Sequence, residues 1–186
     1  MKNAYEIGNS IYLRAPTLED VEGDWYQWFS DPDTTEFLGD QYWPNTVESQ
    51  IEFYEATRNS KDRLVLSVCL KSNDEHVGVC NLSEISWLHR CADIAFVVGK
   101  KEHRNGIIGV EIMTLLVRIA FNRLNLVNLR ASHMSSNPYT PLIMKMFGFK
   151  QVARFEEFCF SQGEYVDLIF SQLSRKDWIN RNRVST

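Results

Sequence analysis

Residues 95–113 read AFVVGKKEHRNGIIGVEIM: a short apolar run, a basic segment set among glycines, and an apolar stretch at helical spacing. That order predicts a strand, a tight loop and a helix. Such a junction favours anions. The N–H groups of the first helical turn point outward unpaired, the helix dipole adds partial positive charge, and glycine permits close approach to the backbone. Lys100, Lys101, His103 and Arg104 strengthen the field. Neither GxxxxGK[ST] nor GxGxxG is present, which excludes a P-loop and a dinucleotide fingerprint. On its own, the segment is equally what a strand–turn–helix junction without a ligand looks like.

Upstream, residues 10–15 alternate as a strand, and Pro16 and Thr17 stop it and cap a helix with Glu19 and Asp20 in its first turn. That helix carries Trp25, Trp28 and Phe29. Residues 30–45, SDPDTTEFLGDQYWPN, read as a loop or broken helix, and a second helix runs from its Thr46 cap to about Asn59. From Arg63 the period becomes 2: residues 63–71 and 76–87 are two strands joined around Ser72, Asn73 and Asp74, and residues 91–99 are a third. The helix after the quoted loop, residues 107–125, has a polar stripe at Glu111, Thr114, Arg118 and Asn122. Residues 126–134 are a strand, Asn137 and Pro138 open a short helix ending at Gly148, and residues 149–160 and 163–173 form a hairpin around Ser161, Gln162 and Gly163. The expected order is β-α-α-β-β-β-α-β-α-β-β, a mixed α/β fold with helices packed on a central sheet.

Residues 1–186 are read as one domain, with no repeat or low-complexity tract. A chain this long buries roughly two thirds of its unfolded surface and needs no metal or disulfide to hold a core. Its four cysteines include no CxxC pair, no signal-like N-terminus precedes them, and no window approaches the ~20 apolar residues of a membrane span. Free thiols in the cytoplasm, with neither membrane nor metal, are the expectation. The net charge of −4 hides a segregation: residues 17–62 hold twelve acids against Arg58 and Lys61, so the rest of the chain is basic. Opposite charges in one small domain suggest two ligands of opposite sign, or simply two solvated faces. The acidic total disfavours nucleic acid.

Arg104–Gly109, R-N-G-I-I-G, resembles the [RQ]-x-x-G-x-[GA] loop of the GNAT acetyltransferases, with Ile107 where the first glycine belongs and Gly106 one place early. Either the loop takes a shifted path, or the backbone is already helical at Ile107 and Gly106 supplies the freedom. The resemblance continues outward. IYLRAPTLED resembles the opening of the RimJ/RimL-type branch, ADIAFVV the A-E-I-G-Y strand, N137-P-Y-T the N-x-x-S helix start and MFGF the K-x-G-F turn. GEYVDLIF with Asp177 and Trp178 resembles the closing strand. The resemblance implies a sheet of about seven strands with about four helices, and transfer of an acetyl group from acetyl-CoA to a primary amine. The amine would be a protein N-terminus, a polyamine or an amino sugar. Residues 17–62 would form the substrate side, residues 91–149 the acetyl-CoA core and residues 149–173 a C-terminal hairpin.

The resemblance further implies that Val97 and Val98 bond the pantetheine arm through their backbone, with the Val97 N–H facing the thioester oxygen. Arg104, Asn105, Gly106, Ile107, Ile108 and Gly109 would hold the pyrophosphate, and Asn137 would contact the thioester end or serve only as a helix cap. Asp93 is the preferred general base and Glu84 its rival, with an ion pair or plain solvation as the alternative for each. Met144 stands where many members carry an acidic tyrosine. For a cationic amine, Glu36, Asp40 and Trp43 are the expected pocket residues, through charge attraction and cation–π contact. A homodimer stays open. The competing reading is a non-catalytic acetyl-CoA sensor, which Ile107 and Met144 favour.

Overall fold

In the computed structural model, which describes residues 1–184, the chain opens with a hairpin of β1 (Ala4–Ile7) and β2 (Ile11–Arg14). Helix α1 (Leu18–Asp20) is capped by Thr17, with Asp20 reaching back to the Thr17 N–H, and continues through a π-helical turn (Val21–Trp25) into α2 (Tyr26–Trp28). The backbone breaks at Gly23 (φ −82°, ψ −129°). Two short turns, α3 (Pro32–Thr35) and a 3-10 turn (Gly39–Tyr42), form the expected broken segment, and α4 (Val47–Arg58) follows under its Thr46 cap. Next come β3 (Leu64–Leu70), β4 (His76–Ser86), β5 (Cys91–Val98), α5 (Ile107–Arg118) and β6 (Asn128–Met134). The chain closes with α6 (Thr140–Phe147), β7 (Lys150–Ser161), β8 (Glu164–Ser174) and α7 (Arg175–Val184).

The strands form one sheet in the order β1-β2-β3-β4-β5-β6-β8-β7, antiparallel except between β5 and β6. Alternation gives it two faces. Against one lies α5, whose Ile112, Leu116 and the following Phe121 are fully buried with Leu82, Ile94 and Leu129. Against the other lie the α1–α2 segment and α4, where Val21, Trp25 and Trp28 pack on Val79. The Trp28 ring lies directly over Gly99 and leaves no room for a Cβ there, which pins α2 to the end of β5.

Several expectations are refined. Eight strands are present instead of about seven, because β1 pairs onto β2. Helix α7 follows β8: its sequence is polar almost all round, and what docks it is Trp178, 5.4 Å from the Phe121 ring. Helix α6 starts at Thr140, three residues after the expected cap, although the Asn137 side chain does accept from the Tyr139 and Thr140 N–H groups at 2.9 and 3.1 Å. The polar stripe of α5 is not merely solvated. The Glu111 carboxylate accepts from the Ser10 N–H (2.9 Å), and the Arg118 guanidinium holds Glu6 (2.5 Å), so the stripe ties the N-terminal hairpin down.

Candidate active site

Strands β5 and β6 pair over only three residues: Cys91↔Asn128, Ala92↔Leu129 and Asp93↔Arg130. Beyond that point β5 stays with β4 as far as Val98 and β6 stays with β8 as far as Met134, so the two part and leave a wedge-shaped gap. At its closed end the Asn128 N–H donates to the Arg90 carbonyl, and at its open end the Gly99 N–H donates to Val77. Alternation from both ends assigns the N–H and C=O of Ala95 and Val97 to β4 and turns those of Ile94, Phe96 and Val98 into the gap. The expectation for Val97 is corrected accordingly. Its N–H belongs to the ladder, and Phe96 joins the Val98 N–H as the backbone available to an extended ligand, the Val98 carbonyl being taken by Arg104.

At the open end stands the glycine loop. Gly106 is the N-cap of α5 with φ +83°, so the left-handed residue is glycine and Ile107 is already helical, 67% exposed at the first position. Of the two paths the sequence allows, the chain takes the second. Asn105 accepts from the Ile107 N–H at 3.1 Å, while helix geometry leaves the Ile108 and Gly109 N–H groups without an intrahelical partner. Gly109 is buried, and a Cβ there would stand 3.2 Å from the Phe96 ring, so a side chain at this position would need that ring to give by a few tenths of an ångström.

The loop's cations are already matched. Lys100 pairs with Asp24 (2.5 Å), and Lys101 pairs with Asp33 (2.6 Å) and Asp31 (3.4 Å). Part of the charge that is segregated in sequence thus meets in space. Arg104 donates to the carbonyls of Val98 (2.9 Å) and Gly99 (2.8 Å) and to Thr34 Oγ1 (2.5 Å). It braces the loop against β5 and α3. Arg104→Ala is expected to raise the apparent acetyl-CoA constant about tenfold with little change in turnover. Steady-state kinetics with varied acetyl-CoA reads this, and an unchanged constant removes the loop from the donor site.

At the closed end, Arg130 Nε lies 2.5 Å from Asp93 Oδ1, and Arg130 Nη2 lies 3.6 Å from Glu84. Both candidate bases therefore converge on one guanidinium. Glu84 sits in the bulge of β4, with φ +50°, and is largely solvated. Asp93 is more enclosed. Burial raises its pKa above the ordinary carboxylate value, Arg130 pulls it back and Glu84 raises it again, with a net upward shift. Sequence reasoning missed Arg130, because its pairing with Asp93 depends on the register of two strands 37 residues apart.

Asn137 has its side-chain oxygen occupied by the α6 cap. Met144 is buried in the core at 7% exposure, so no proton donor stands at that position. Tyr139, 67% exposed, meets Phe37 edge-on at 6.4 Å. On the α2–α4 side of the sheet, beside the row Ser83↔Asp93, lies a cavity of about 470 Å³ floored by Val65, Val79, Asn81 and Ser83. Trp25, Phe29, Trp43 and Phe53 supply its walls. Of the expected pocket residues, Trp43 lines this cavity. Glu36 does not: it accepts from Gln162 of the β7–β8 turn at 2.9 Å. The side chain of Asp40 lies outside the described residues. Among the described residues no group of three or more His, Cys, Asp or Glu is placed to hold a metal ion, and no helix is long and apolar enough to cross a membrane.

The split parallel pair with a glycine-capped helix at its mouth fits the arrangement that the resemblance of the Arg104–Gly109 loop implies. Residues 10–150 match the acetyltransferase (GNAT) domain family, and the chain belongs to that family. It is an N-acetyltransferase, and acetyl-CoA is its co-substrate. Solved structures share the fold, among them the following three. A Vibrio cholerae spermidine N-acetyltransferase in complex with CoA and spermine superposes with a TM-score of 0.85 at 17% identity, covering 93% of this chain and 100% of that one. A dodecameric structure of that enzyme gives 0.79 at 18%, covering 94% and 99%. A GNAT-family acetyltransferase from Bacillus anthracis gives 0.78 at 16%, covering 92% and 98%. No curated protein matches the sequence significantly.

Proposed function

We propose that the chain acetylates a small primary amine by direct transfer, with the donor in the β5–β6 gap and the acceptor in the cavity beside Asp93. The observation that carries this reading is the ending of the parallel pairing at Asp93↔Arg130, which sets a carboxylate at the closed end of the gap, in register with the cavity floor. Acetyl-CoA supplies an activated acyl group. The gap-facing backbone of Phe96 and Val98 would align its extended arm as an added strand does, and the free Ile108 and Gly109 N–H groups would meet the phosphates. The amine-to-acetyl C–N bond forms as the C–S bond breaks. One amine proton passes to Asp93, directly or through a water, and the departing thiolate takes a proton from solvent.

The absence of a donor at Met144 does not obstruct this route, because a thiolate is a good leaving group at neutral pH. The RimJ/RimL-type branch belongs to the same reading, on the resemblance of the opening strand, and so does a cytoplasmic setting, on four cysteines that are all free thiols. So does self-association, which the dodecamer of the Vibrio cholerae enzyme supports. The test is release of free CoA thiol from acetyl-CoA with a peptide N-terminus, spermidine, an amino sugar nucleotide and an amino acid offered separately. Turnover with any of them is expected. A clear thermal shift with acetyl-CoA but no thiol release from all four would favour the non-catalytic sensor.

A further inference from the structure

We propose that the acceptor carries a carboxylate beside its amine and an apolar body, the chemistry of a free aromatic α-amino acid, and that Arg63 reads that carboxylate. This rests on the acetyl-transfer reading above and narrows it. Three features of the cavity carry it. First, among the described residues the only charged side chain lining the cavity is Arg63, and no described carboxylate lines it. A polyamine, with two or more ammonium groups, would need several. Five of the twelve acids of residues 17–62 are engaged in ion pairs away from the cavity: Asp20 with Arg14, Asp24 with Lys100, Asp31 and Asp33 with Lys101, and Glu55 with Arg58.

Second, Arg63 has neither an ion pair nor a hydrogen bond among the described residues; its one recorded contact is the Phe53 ring, 5.9 Å from the guanidinium carbon. Third, two buried polar atoms of the lining residues lack partners, and they are of opposite kind. Trp25 Nε1 is a donor without an acceptor, and Asn81 Oδ1 is an acceptor without a donor. Leaving either unpaired costs free energy unless a ligand meets it. A carboxylate between Arg63 and Trp25 Nε1 and an ammonium or amine N–H at Asn81 Oδ1 would satisfy all three groups at once.

The register sets the direction. Leu64 pairs with Leu82, and Ser83 pairs with Asp93, so Arg63 and Asp93 flank Ser83 along one row. Their Cα atoms are then about two strand spacings apart, roughly 10 Å, a span that two converging side chains reduce to the size of one amino acid. The walls of Trp25, Phe29, Trp43 and Phe53 suit an aromatic or branched body.

The experiment compares thiol release with L-phenylalanine, L-phenylalaninamide and spermidine, for the natural chain and for Arg63→Gln and Arg63→Lys. The expected kcat/KM for phenylalanine exceeds that for its amide by about 10- to 100-fold, carried in KM. Arg63→Gln is expected to bring the acid-to-amide ratio near one, and Arg63→Lys to restore part of it. An amide as good as the acid, or spermidine as the preferred acceptor with no response to Arg63→Gln, overturns this inference and leaves acetyl transfer standing. Absence of thiol release with all three, while acetyl-CoA still raises the melting temperature, overturns this inference and counts against the transfer reading as well.

Discussion

Asp93→Asn is expected to lower kcat by about 10²-fold at neutral pH, the range of a positioned general base, while the acetyl-CoA constant stays near its natural value. The carboxylate stands at the point where β5 and β6 part, and Asn keeps its shape while removing its ability to take a proton. The pH profile separates a base from a mere ion-pair partner of Arg130. Asp93 acts only when ionised, and burial, opposed by Arg130 and assisted by Glu84, holds its pKa above the ordinary value, so activity should fall on the acid side as Asp93 gains its proton. In the Asn variant the defect should shrink towards alkaline pH, where the amine loses its proton unaided. A uniform loss across the range, accompanied by a lower melting temperature, would mean that the Asp93–Arg130 pair is structural. Retained activity in Asp93→Asn together with its loss in Glu84→Gln would transfer the role to the bulge carboxylate.

The largest expected effect on stability is at Asp20. Its carboxylate accepts from Arg14 through two bonds of 2.6 Å, from Ser67 Oγ at 2.9 Å and from the Thr17 N–H at 2.9 Å, and the His76 ring lies 3.4 Å away. Asp20→Ala leaves Arg14 nearly buried without its partner, a change that costs about 3–5 kcal/mol and about 10 °C or more in melting temperature for a chain of this size. Burial pushes Asp20 up, but Arg14, His76 and Thr17 together hold it below its ordinary value, and His76 is pulled below its ordinary 6.5, chiefly by burial. Both groups are depressed in the folded state, so both contribute stability above their unfolded pKa and lose it as pH falls. Denaturation midpoints should therefore begin to decline below about pH 6.5 as unfolding lets His76 charge, and decline again below about pH 4 through Asp20. In Asp20→Ala the second decline should be smaller. A flat profile from pH 7 to 3 in the natural chain would contradict the network.

Much of this protein follows from local pattern. The alternation of residues 63–71 and 76–87, the apolar run from Ile107 and the turn at Gln162 and Gly163 each report a short-range preference that the tertiary structure keeps. The Arg104–Gly109 loop was legible for the same reason, since a helix start beside glycine creates an anion site from only a few adjacent residues. What sequence alone could not decide depended on distance and register. Strand β1 and helix α7 have weak intrinsic patterns and are held by docking: β1 through Glu6 on Arg118, α7 through Trp178 on Phe121.

The same division runs through the site. A strand's residue types do not reveal which amides its neighbour consumes, so Val97 and Phe96 exchanged roles once the ladder with β4 was known. Some of the charges segregated along the chain are partners in space, because Asp24, Asp31 and Asp33 fold over the loop that carries Lys100 and Lys101. Composition made an acidic pocket the natural expectation. Coulomb attraction between segments far apart in sequence acts only once the chain has folded, so Asp24, Asp31 and Asp33 were taken up by lysines of the glycine loop, and Arg63 is the one charge lining the cavity among the described residues. The sequence by itself determined the family, the sheet's helical partners and the glycine-capped helix start at Gly106. Only the tertiary structure decided which carboxylate stands at the gap, which amides are free and which described charge lines the cavity, because each of these depends on which strand lies beside which and in what register.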